Sequence, residues 1–389
     1  MTETDNRYAQ ALKITQDLIK CPSITPKHEG VFDVVQSALE NLGFECHQMT
    51  FEEEGLDPVT NIFAKIGNGQ PHFCFAGHLD VVPVGDADAW THPPFGGEVH
   101  DKTLYGRGTS DMKGAIGAFI AAVESFLKQH HPFHGTISLL IAGDEEDPLI
   151  AGTKHVLRWL DTQNLVPDMC VVGEPTNPNT LGEMIKIGRR GSLNGVLTVK
   201  GVEGHIAYPH LADNPLPKMI DILSTMKDIS FDEGSEFFQP TNLEISSIDT
   251  GNTANNVIPP ACHAVFNVRF NNLHSSQDII NTIAKAVDKT GHKYHINYQI
   301  TGESFFTPPG DLSDLVATAI KHTIGRRPDL TTTGGISDAR FLSEYCPVVE
   351  FGGISKSMHK TDEHIHLADL NDLTDVYLNI LKHIFSRDV

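Results

Sequence analysis

The sequence predicts an α/β protein in which a larger sheet domain is interrupted by a smaller, two-layer α+β domain. Short apolar runs alternate with helical segments in the first half of the chain, which is typical of an α/β sheet. The order of elements changes near Arg189–Ser192, and the first pattern resumes after Thr307–Gly310. We therefore expect one discontinuous domain of residues 1–190 and 304–389, and an inserted domain of residues 191–303.

Apolar periodicity predicts the elements of the larger domain. The apolar face is irregular over residues 8–20, whereas over residues 31–42 apolar side chains recur at spacings of three and four, as in an amphipathic helix. Apolar runs bounded by turns predict the strands, and periodic segments predict the remaining helices. The predicted strands are 61–66, 72–76, 136–142, 169–172 and 347–351, and the predicted helices are 116–127, 153–160, 312–324 and 370–384.

The inserted domain has the order strand, helix, strand, strand, helix, strand. Its predicted strands are 193–200, 243–248, 264–270 and 293–300, and its predicted helices are 215–227 and 277–287. This order is that of the split βαβ unit, so we expect a ferredoxin-like fold of two layers.

Charge and composition exclude some classes of partner. The chain of 389 residues has a formal net charge of −21, so bulk charge does not favour binding to nucleic-acid phosphates or anionic membranes. A run of about 18 apolar residues, which a membrane helix needs, is missing, and the acidic N-terminus lacks the pattern of a secretory signal. The six cysteines form no C-x-x-C pair, so neither a cysteine zinc site nor a disulfide framework is expected. We expect a cytoplasmic protein.

Residues suited to metal binding follow the predicted strands. His78 and Asp80 come directly after an apolar run, and Asp111 follows a glycine-rich turn that leads into a helix. Imidazole and carboxylate groups at the carboxyl ends of strands are suitable metal ligands. Taken singly, His78 is better explained as a structural histidine, and Asp111 is equally well explained as a helix N-cap.

Later acidic residues and a histidine complete the pattern. The acids Asp144–Asp147 end another strand, where such a run usually forms a solvated loop; Glu174 ends the next strand, and His359 follows the last one. The complete set of candidate ligands is His78, Asp111, Glu146, Glu174 and His359. Nitrogen and oxygen ligands without a cysteine fit two zinc-like ions in an open catalytic site. Asp111 is the expected bridge, and Glu145 is the expected general base.

Five motifs make the chain similar to a known family over essentially its whole length. They are Gly77–Pro83, Gly106–Gly114, Asp144–Glu146, Gly173–Pro175 and Met358–Lys360. The family is that of the co-catalytic zinc metallopeptidases, which includes acetylornithine deacetylase, carboxypeptidase G2 and aminoacylase. The resemblance implies a catalytic domain with a mixed central sheet flanked by helices.

The resemblance also implies how the metal ligands are shared. His78 and Glu174 would hold one Zn²⁺ ion, and Glu146 and His359 would hold the other. Asp111 would bridge the two ions. Co²⁺ would serve in one or both sites as well.

Further catalytic roles follow from the same resemblance. Glu145 would be the general base, and Asp80 would orient the ring of His78. His205 of the inserted domain would reach the site of a second subunit and polarise the scissile carbonyl there. The inserted domain would accordingly be a dimerisation domain, and the protein a homodimer. The family also implies a cis peptide bond within Asp111–Met112.

One branch of the family matches best, namely the desuccinylases that act on N-succinyl-L,L-2,6-diaminopimelate. The matching motifs are Arg189–Leu193, Asn255–Pro259, Phe266–Phe270 and Thr333–Phe341. The resemblance implies that this small anionic substrate is bound by Arg189, Ser192, Asn255, Arg269 and Gly335. Arginine suits this role because its guanidinium group pairs with a carboxylate at two points, and the substrate carries three carboxylates. The products would be succinate and L,L-diaminopimelate, a precursor of lysine and peptidoglycan.

Two other functions are also compatible with these residues. The branch usually has Thr where this chain has Ile336, which cannot donate a side-chain hydrogen bond to a substrate. The alternative enzyme is therefore another N-acyl-amino-acid deacylase, such as an acetylornithine deacetylase. The alternative of another class is a catalytically silent, metal-bound binding protein, although a pure binder has no use for a general base.

Arg107 and Arg340 are either loop anchors or substrate contacts, and His364 and His366 are expected at the surface.

Overall fold

The structure is a computed structural model that describes residues 2–55, 57–147 and 151–385. Its internal contacts divide the chain into two compact units. Unit 1 comprises residues 1–187, 307–331 and 337–389, and unit 2 comprises residues 188–306 and 332–336.

Unit 2 includes a short segment, residues 332–336, that the sequence analysis assigns to the larger domain. The hydroxyl of Thr332 donates a hydrogen bond to the carbonyl oxygen of Phe237. The guanidinium group of Arg189 donates to the carbonyl oxygen of Gly335 at 3.2 Å. Partners so distant along the chain leave no local signal in the sequence, which is why the segment was not predicted as part of unit 2.

The elements are numbered in chain order over the described residues. The strands are β1 (Glu45–Phe51), β2 (Val59–Asn68), β3 (His72–His78), β4 (Glu98–His100), β5 (Thr103–Tyr105), β6 (Gly135–Ala142), β7 (Met169–Val172), β8 (Met184–Lys186), β9 (Gly188–Arg189), β10 (Gly191–Lys200), β11 (Gly204–His205), β12 (Asn242–Asp249), β13 (Val257–Ile258), β14 (Ala261–Phe270), β15 (His295–Gly302), β16 (Phe305–Phe306), β17 (Asp329–Thr331), β18 (Val348–Glu350) and β19 (His364–His366). The helices are α1 (Glu3–Ile19), α2 (Val31–Glu40), α3 (Lys113–His130), α4 (Thr153–Gln163), α5 (Pro215–Lys227), α6 (Ser276–Asp288), α7 (Asp311–Ile324), α8 (Ala339–Leu342) and α9 (Leu367–Phe385).

A mixed, eight-stranded sheet is the centre of unit 1, in the order β1-β2-β6-β3-β7-β18-β8-β17. The strands β6, β3, β7 and β18 run parallel to one another, whereas β1, β2 and β6 pair in antiparallel fashion. All residues of β3 and β6 are buried, which explains the continuous apolar runs that predicted both strands. The predicted class, a mixed central sheet flanked by helices, is confirmed.

Helices of unit 1 pack against one another and against this sheet. Helix α3 contacts both α1 and α9, and α7 contacts α9. Most of α3 is buried, and its only charged residue in the first turn, Lys113, is buried as well. Helices α2 and α4 contact β2. None of the described helices is both long enough and apolar enough to cross a membrane.

A smaller antiparallel sheet of unit 1 has the order β19-β5-β4. Its register places Tyr105 of β5 between Glu98 of β4 and His364 of β19. Both β5 and β19 are only three residues long, so no local pattern in the sequence predicts them as strands.

Unit 2 shows the predicted order of strand, helix, strand, strand, helix, strand. Its antiparallel sheet has the order β12-β14-β10-β15. Helices α5 and α6 cover one face of this sheet, where Leu193, Leu197 and Phe266 of the sheet pack with Met219 of α5 and Ile283 of α6. Alternation of buried and exposed residues along β14 is the pattern expected of a sheet covered on one face.

Candidate metal centre

The predicted metal ligands of unit 1 gather at one edge of its central sheet. His78 is the last residue of β3, Glu146 follows β6, and Glu174 follows β7. Because these three strands are parallel neighbours, their carboxyl ends lie together. His359 follows β18, the next parallel neighbour, and Asp111 lies just before α3.

The carboxylate of Asp111 lies between two imidazole rings. Its Oδ1 atom is 3.2 Å from Nε2 of His78, and its Oδ2 atom is 3.2 Å from Nε2 of His359. Helix α3 begins after Met112, without a side-chain cap, so Asp111 does not serve as its N-cap. Each oxygen of this carboxylate therefore faces a different histidine, as a bridging ligand requires.

The two glutamates complete the two halves of the cluster. Nε2 of His359 lies 3.0 Å from Oε1 of Glu146, and Nε2 of His78 lies 3.5 Å from Oε1 of Glu174. Glu145 is more distant, with Oε2 at 4.0 Å from Nε2 of His78. The candidate ligand atoms of His78, Asp111 and Glu146 lie within 4.8 Å of one another, as do those of His78, Glu145 and Glu174.

His78 is held by the chain immediately after it. The ring is fully buried, and its Nδ1 atom lies 2.9 Å from the backbone carbonyl oxygen of Asp80 and 3.5 Å from Oδ1 of the Asp80 carboxylate. A proton on Nδ1 donated to this carbonyl leaves Nε2, the atom that faces Asp111, as the nitrogen that would bind an ion once its own proton is displaced. The Asp80 carboxylate itself accepts the backbone N–H groups of Glu145 and Glu146, at 3.1 and 3.0 Å.

Electrostatics at this edge favour positive charge. Burial opposes the charged ring of His78, but its hydrogen bonds to Asp111 and Asp80 outweigh that effect and raise the pKa of His78 well above its usual value. Hydrogen bonds to Asp111 and Glu146 raise the pKa of His359 to about 10. Burial raises the pKa of Asp111, but hydrogen bonds from both histidines lower it by more. A cluster that holds protons this strongly is also suited to divalent cations.

The surroundings of Glu145 shift its pKa. Burial, and then the negative charge of Glu174, raise the pKa of Glu145 well above its usual value. Raised pKa values are common among carboxyl groups that transfer protons in enzymes. Asp144, the preceding residue, is buried and accepts the backbone N–H of Ala151 at 2.8 Å, so it is not a solvated loop residue.

A buried ion pair that the sequence analysis did not identify supports Asp111. Oε1 of Glu363 accepts the backbone N–H groups of Ser110 and Asp111, at 2.9 and 3.1 Å. Oε2 of the same carboxylate accepts a hydrogen bond from Arg107 at 2.8 Å. Arg107 also donates to the carbonyl oxygen of Lys360, so it is a loop anchor. The acidic residue at position 363, four residues after His359, was the one available signal.

Small residues leave space beside the cluster. A Cβ atom at Gly77 would collide with the side chain of Met112, and a Cβ atom at Gly173 would collide with Met112 and with Phe75. Gly77 precedes His78, and Gly173 precedes Glu174. The peptide bond between Asp111 and Met112 is cis, which confirms that prediction.

Arg340 lies in unit 1, close to the charges of the acidic loop. The charges of Asp338, Glu145 and Asp144 act on its buried guanidinium group, and burial lowers its pKa. Its Nη1 atom has no hydrogen-bond partner among the residues that the structure describes. Arg340 therefore offsets part of the negative charge of these carboxylates.

The remaining predicted residues belong to unit 2. Arg189 and Gly335 are joined by the hydrogen bond described above, and Ser192 pairs with Arg269 across β10 and β14. The predicted substrate residue Asn255 is exposed in a turn.

His205 is also exposed, at the end of β11. Its Nδ1 atom accepts the backbone N–H of Ala207 at 3.1 Å. Its ring lies 5.6 Å from that of Tyr208.

A comparison with protein families identifies the chain. The model of peptidase family M20/M25/M40 matches residues 74–383. The chain belongs to this family. The family assignment agrees with the site geometry, because the matched range contains every residue of the cluster described above.

Similar proteins extend the comparison to the whole chain. The chain is similar to the succinyl-diaminopimelate desuccinylase of Rhodospirillum centenum, with 52% identity over 375 residues, 96% of this chain and 97% of that protein. It is also similar to the succinyl-diaminopimelate desuccinylase of Parvibaculum lavamentivorans, with 48% identity over 379 residues, 96% of this chain and 95% of that protein.

A solved structure has the same fold. The M20 family metallo-carboxypeptidase Sso-CP2 from Sulfolobus solfataricus aligns with a TM-score of 0.77 and 18% identity, and the alignment covers 96% of this chain and 98% of that one. At this identity, the likeness concerns the fold alone.

Proposed function

We propose that this M20 protein is a di-zinc amidohydrolase that cleaves N-succinyl-L,L-2,6-diaminopimelate to succinate and L,L-diaminopimelate. The observation that carries the proposal is the Asp111 carboxylate, whose two oxygens each lie 3.2 Å from a different imidazole. Sequence identity of 52% to a succinyl-diaminopimelate desuccinylase supports the choice of substrate.

The donor set fits two zinc ions. In this proposal His78 and Glu174 hold one ion, Glu146 and His359 hold the other, and Asp111 bridges them. Imidazole nitrogen and carboxylate oxygen suit Zn²⁺, and they suit Co²⁺ as well. His359 has a backbone φ of 60°, a left-handed conformation that is uncommon for residues other than glycine and is often found at functional sites.

Glu145 moves the proton in the reaction. When bound, the two ions would polarise the amide carbonyl and make a water molecule more acidic. Glu145 takes a proton from the attacking water and gives it to the amine nitrogen as the amide bond breaks. Its position beside the cluster, with Oε2 4.0 Å from Nε2 of His78, supports this role. Asp80 positions Glu145 through the backbone hydrogen bond described above.

Unit 2 supplies the groups for an anionic substrate. The proposed substrate-binding residues are Arg189, Ser192, Asn255, Arg269 and Gly335. Two of these are arginines, which pair with carboxylates at two points. Burial lowers the pKa of Arg269, and a partly desolvated guanidinium group gains more from an anion than one in water does.

We further propose a homodimer in which His205 of one subunit acts at the site of the other. Exposed apolar side chains surround His205 in the sequence, namely Val202 (55% exposed), Ile206 (55%), Tyr208 (56%) and Leu211 (70%). Apolar side chains grouped in this way are typical of an interface, and a second copy of this chain is the occupant proposed. The six free cysteines agree with a reducing compartment such as the cytoplasm.

Hydrolysis assays with two substrates test the proposal. Purified protein with added zinc should release succinate from N-succinyl-L,L-2,6-diaminopimelate about 100-fold faster than it releases acetate from N-acetyl-L-ornithine, because a site built for an extra carboxylate discriminates strongly against its absence. The reverse preference would keep the metal chemistry and assign the protein to another deacylase, with Ile336 as the first position to examine. Bound metal without hydrolysis of either substrate would identify a silent binding protein.

A further inference from the structure

We propose that His92, Glu98 and His100 form a third divalent-metal site in unit 1, with a ligand set separate from that of the candidate catalytic centre. The expected ligand is a borderline transition-metal ion such as Zn²⁺. Two imidazole nitrogens and one carboxylate oxygen are a donor set that this class of ion prefers. Water would complete the coordination.

The three donor atoms already converge on one point. Oε2 of Glu98 lies 2.9 Å from Nε2 of His100 and 3.7 Å from Nδ1 of His92. The candidate ligand atoms all lie within 4.8 Å of one another. Donors at 2.0–2.2 Å from a tetrahedral zinc ion are roughly 3.3–3.6 Å apart. The donor atoms are thus close to the required spacing, and the two rings, which stack at 15°, must turn so that both nitrogen lone pairs point at the ion.

Strand geometry brings two of the donors together. Glu98 and His100 are two residues apart on β4, so their side chains lie on the same face of the sheet. In the antiparallel pair of β4 and β5, Glu98 lies opposite Tyr105 and His100 lies opposite Thr103. These two donors are thus held at a spacing that the strand itself determines.

The third donor is positioned by packing. The ring of His92 stacks on the ring of His100, with centroids 4.0 Å apart and an interplanar angle of 15°, and it also packs on Tyr105 at 4.3 Å. Asp362 accepts both the backbone N–H and the hydroxyl of Thr91, each at 2.8 Å. These contacts fix the segment that carries His92, so binding an ion would require a turn of the two rings but little movement of the backbone.

The site is open to ions from solvent. The side chains of His92, Glu98 and His100 are 18%, 44% and 49% exposed. This exposure also means that the three side chains can be replaced without a cavity or a buried unpaired group. Variants of this site should therefore fold and should retain amide hydrolysis.

Metal stoichiometry tests the proposal. Wild-type protein at equilibrium with excess free Zn²⁺ should bind one more ion per chain than His100→Asn or His92→Asn, and Glu98→Gln should bind the extra ion at least about tenfold more weakly. His295→Asn is the matched control, because His295 is an exposed strand histidine of unit 2 whose ring lies 2.8 Å from the neighbouring Asn297 side chain. The control should bind as many ions as wild type.

A spectroscopic measurement identifies the ligands directly. Cu²⁺ added to the zinc-loaded protein should give an electron paramagnetic resonance signal split by two imidazole nitrogens, and His100→Asn should reduce the splitting to that of one. The proposal is wrong if wild type and His100→Asn bind the same number of ions at every zinc concentration at which the protein stays in solution. It is equally wrong if the His295→Asn control loses the same ion. Neither result bears on the two proposed catalytic ions. His100→Asn and His295→Asn both keep the ligands of those ions and should keep the activity.

Discussion

The carboxylate of Asp80 accepts the backbone N–H of Glu145 at 3.1 Å. Its second oxygen accepts the next N–H, that of Glu146, at 3.0 Å. One carboxylate at the end of β3 therefore ties down the loop after β6 that carries both the proposed base and a proposed ligand. The sequence suggests that Asp80 orients His78. The folded chain shows a second role, in which Asp80 holds the backbone of Glu145 and Glu146.

Replacing Asp80 tests this double role. Asp80→Asn keeps the shape but turns an NH₂ group towards one of the two backbone donors, so the loop with Glu145 and Glu146 should shift. We expect metal affinity to fall about 10- to 100-fold, as is usual when a partner of a metal ligand is lost, with a separate fall in kcat at saturating zinc. Isothermal titration and steady-state kinetics measure the two effects. Asp86→Asn, an exposed acid that accepts one backbone N–H, should leave both unchanged.

Removal of the proposed base should separate chemistry from metal binding. Glu145→Gln keeps the volume of the side chain but cannot take up the proton, and we expect kcat to fall by about 10²–10⁴ or more. Zinc content, measured by atomic emission, should stay at the wild-type value. Asp147→Asn changes an exposed acid in the same loop and should retain full activity. Wild-type turnover by metal-loaded Glu145→Gln would exclude Glu145 as the base.

Metal binding should release protons. The pKa of His359 is raised to about 10 in the metal-free protein, so at pH 7 its ring holds a proton that an ion must displace, and the raised pKa of His78 acts in the same direction. Metal affinity should therefore increase as the pH rises from 7 towards 10, by up to about tenfold per pH unit for each proton displaced. Titration calorimetry in buffers of different ionisation enthalpy counts the protons. A binding enthalpy that does not depend on the buffer would contradict this expectation.

Loss of the carboxylate at Glu363 should affect folding as well as the site. Glu363→Gln leaves the buried guanidinium of Arg107 without its counter-charge, and breaking a buried pair in this way costs about 3–5 kcal/mol. Urea unfolding of the metal-free protein measures this loss without interference from bound ions. Glu344→Gln, at an exposed position, should change the free energy of unfolding by less than about 0.5 kcal/mol. Equal stability of the two variants would show that the pair contributes nothing.

Mixed dimers test whether His205 acts between subunits. Glu145→Gln and His205→Ala proteins should each be inactive alone. In a mixed dimer, the site with an intact Glu145 receives His205 from the other subunit, so a random mixture should regain about a quarter of wild-type activity. Activity after joint refolding of the two variants gives the answer. If His205 acts within its own chain, the mixture stays inactive.

Most long elements could be predicted from local pattern. Helix α5 occupies the predicted range, residues 215–227, and β7 occupies the predicted range, residues 169–172. By contrast, β1 is an edge strand without a buried run, and its exposure pattern is irregular. Nothing in its own residues distinguishes it from a loop, because its partner β2 defines it through backbone hydrogen bonds.

The candidate site was predictable for a different reason. Ligand types at successive strand ends suffice to predict a cluster, since parallel strands bring their ends together. Glu363 was missed because its role depends on backbone N–H groups of Ser110 and Asp111, more than 250 residues earlier in the chain. A buried acid that binds backbone groups has no local signature.

The side chain of Met112 fills the space over both Gly77 and Gly173. Natural variation at these three positions should therefore be correlated rather than independent. A larger residue at Gly77 needs Met112 to move or to be exchanged for a shorter residue, and at Gly173 it needs Phe75 to give way as well, so a lineage must pass through a loosely packed intermediate first. Because each glycine precedes a proposed ligand, such an intermediate would also bind its ions less firmly, and few lineages should have crossed it.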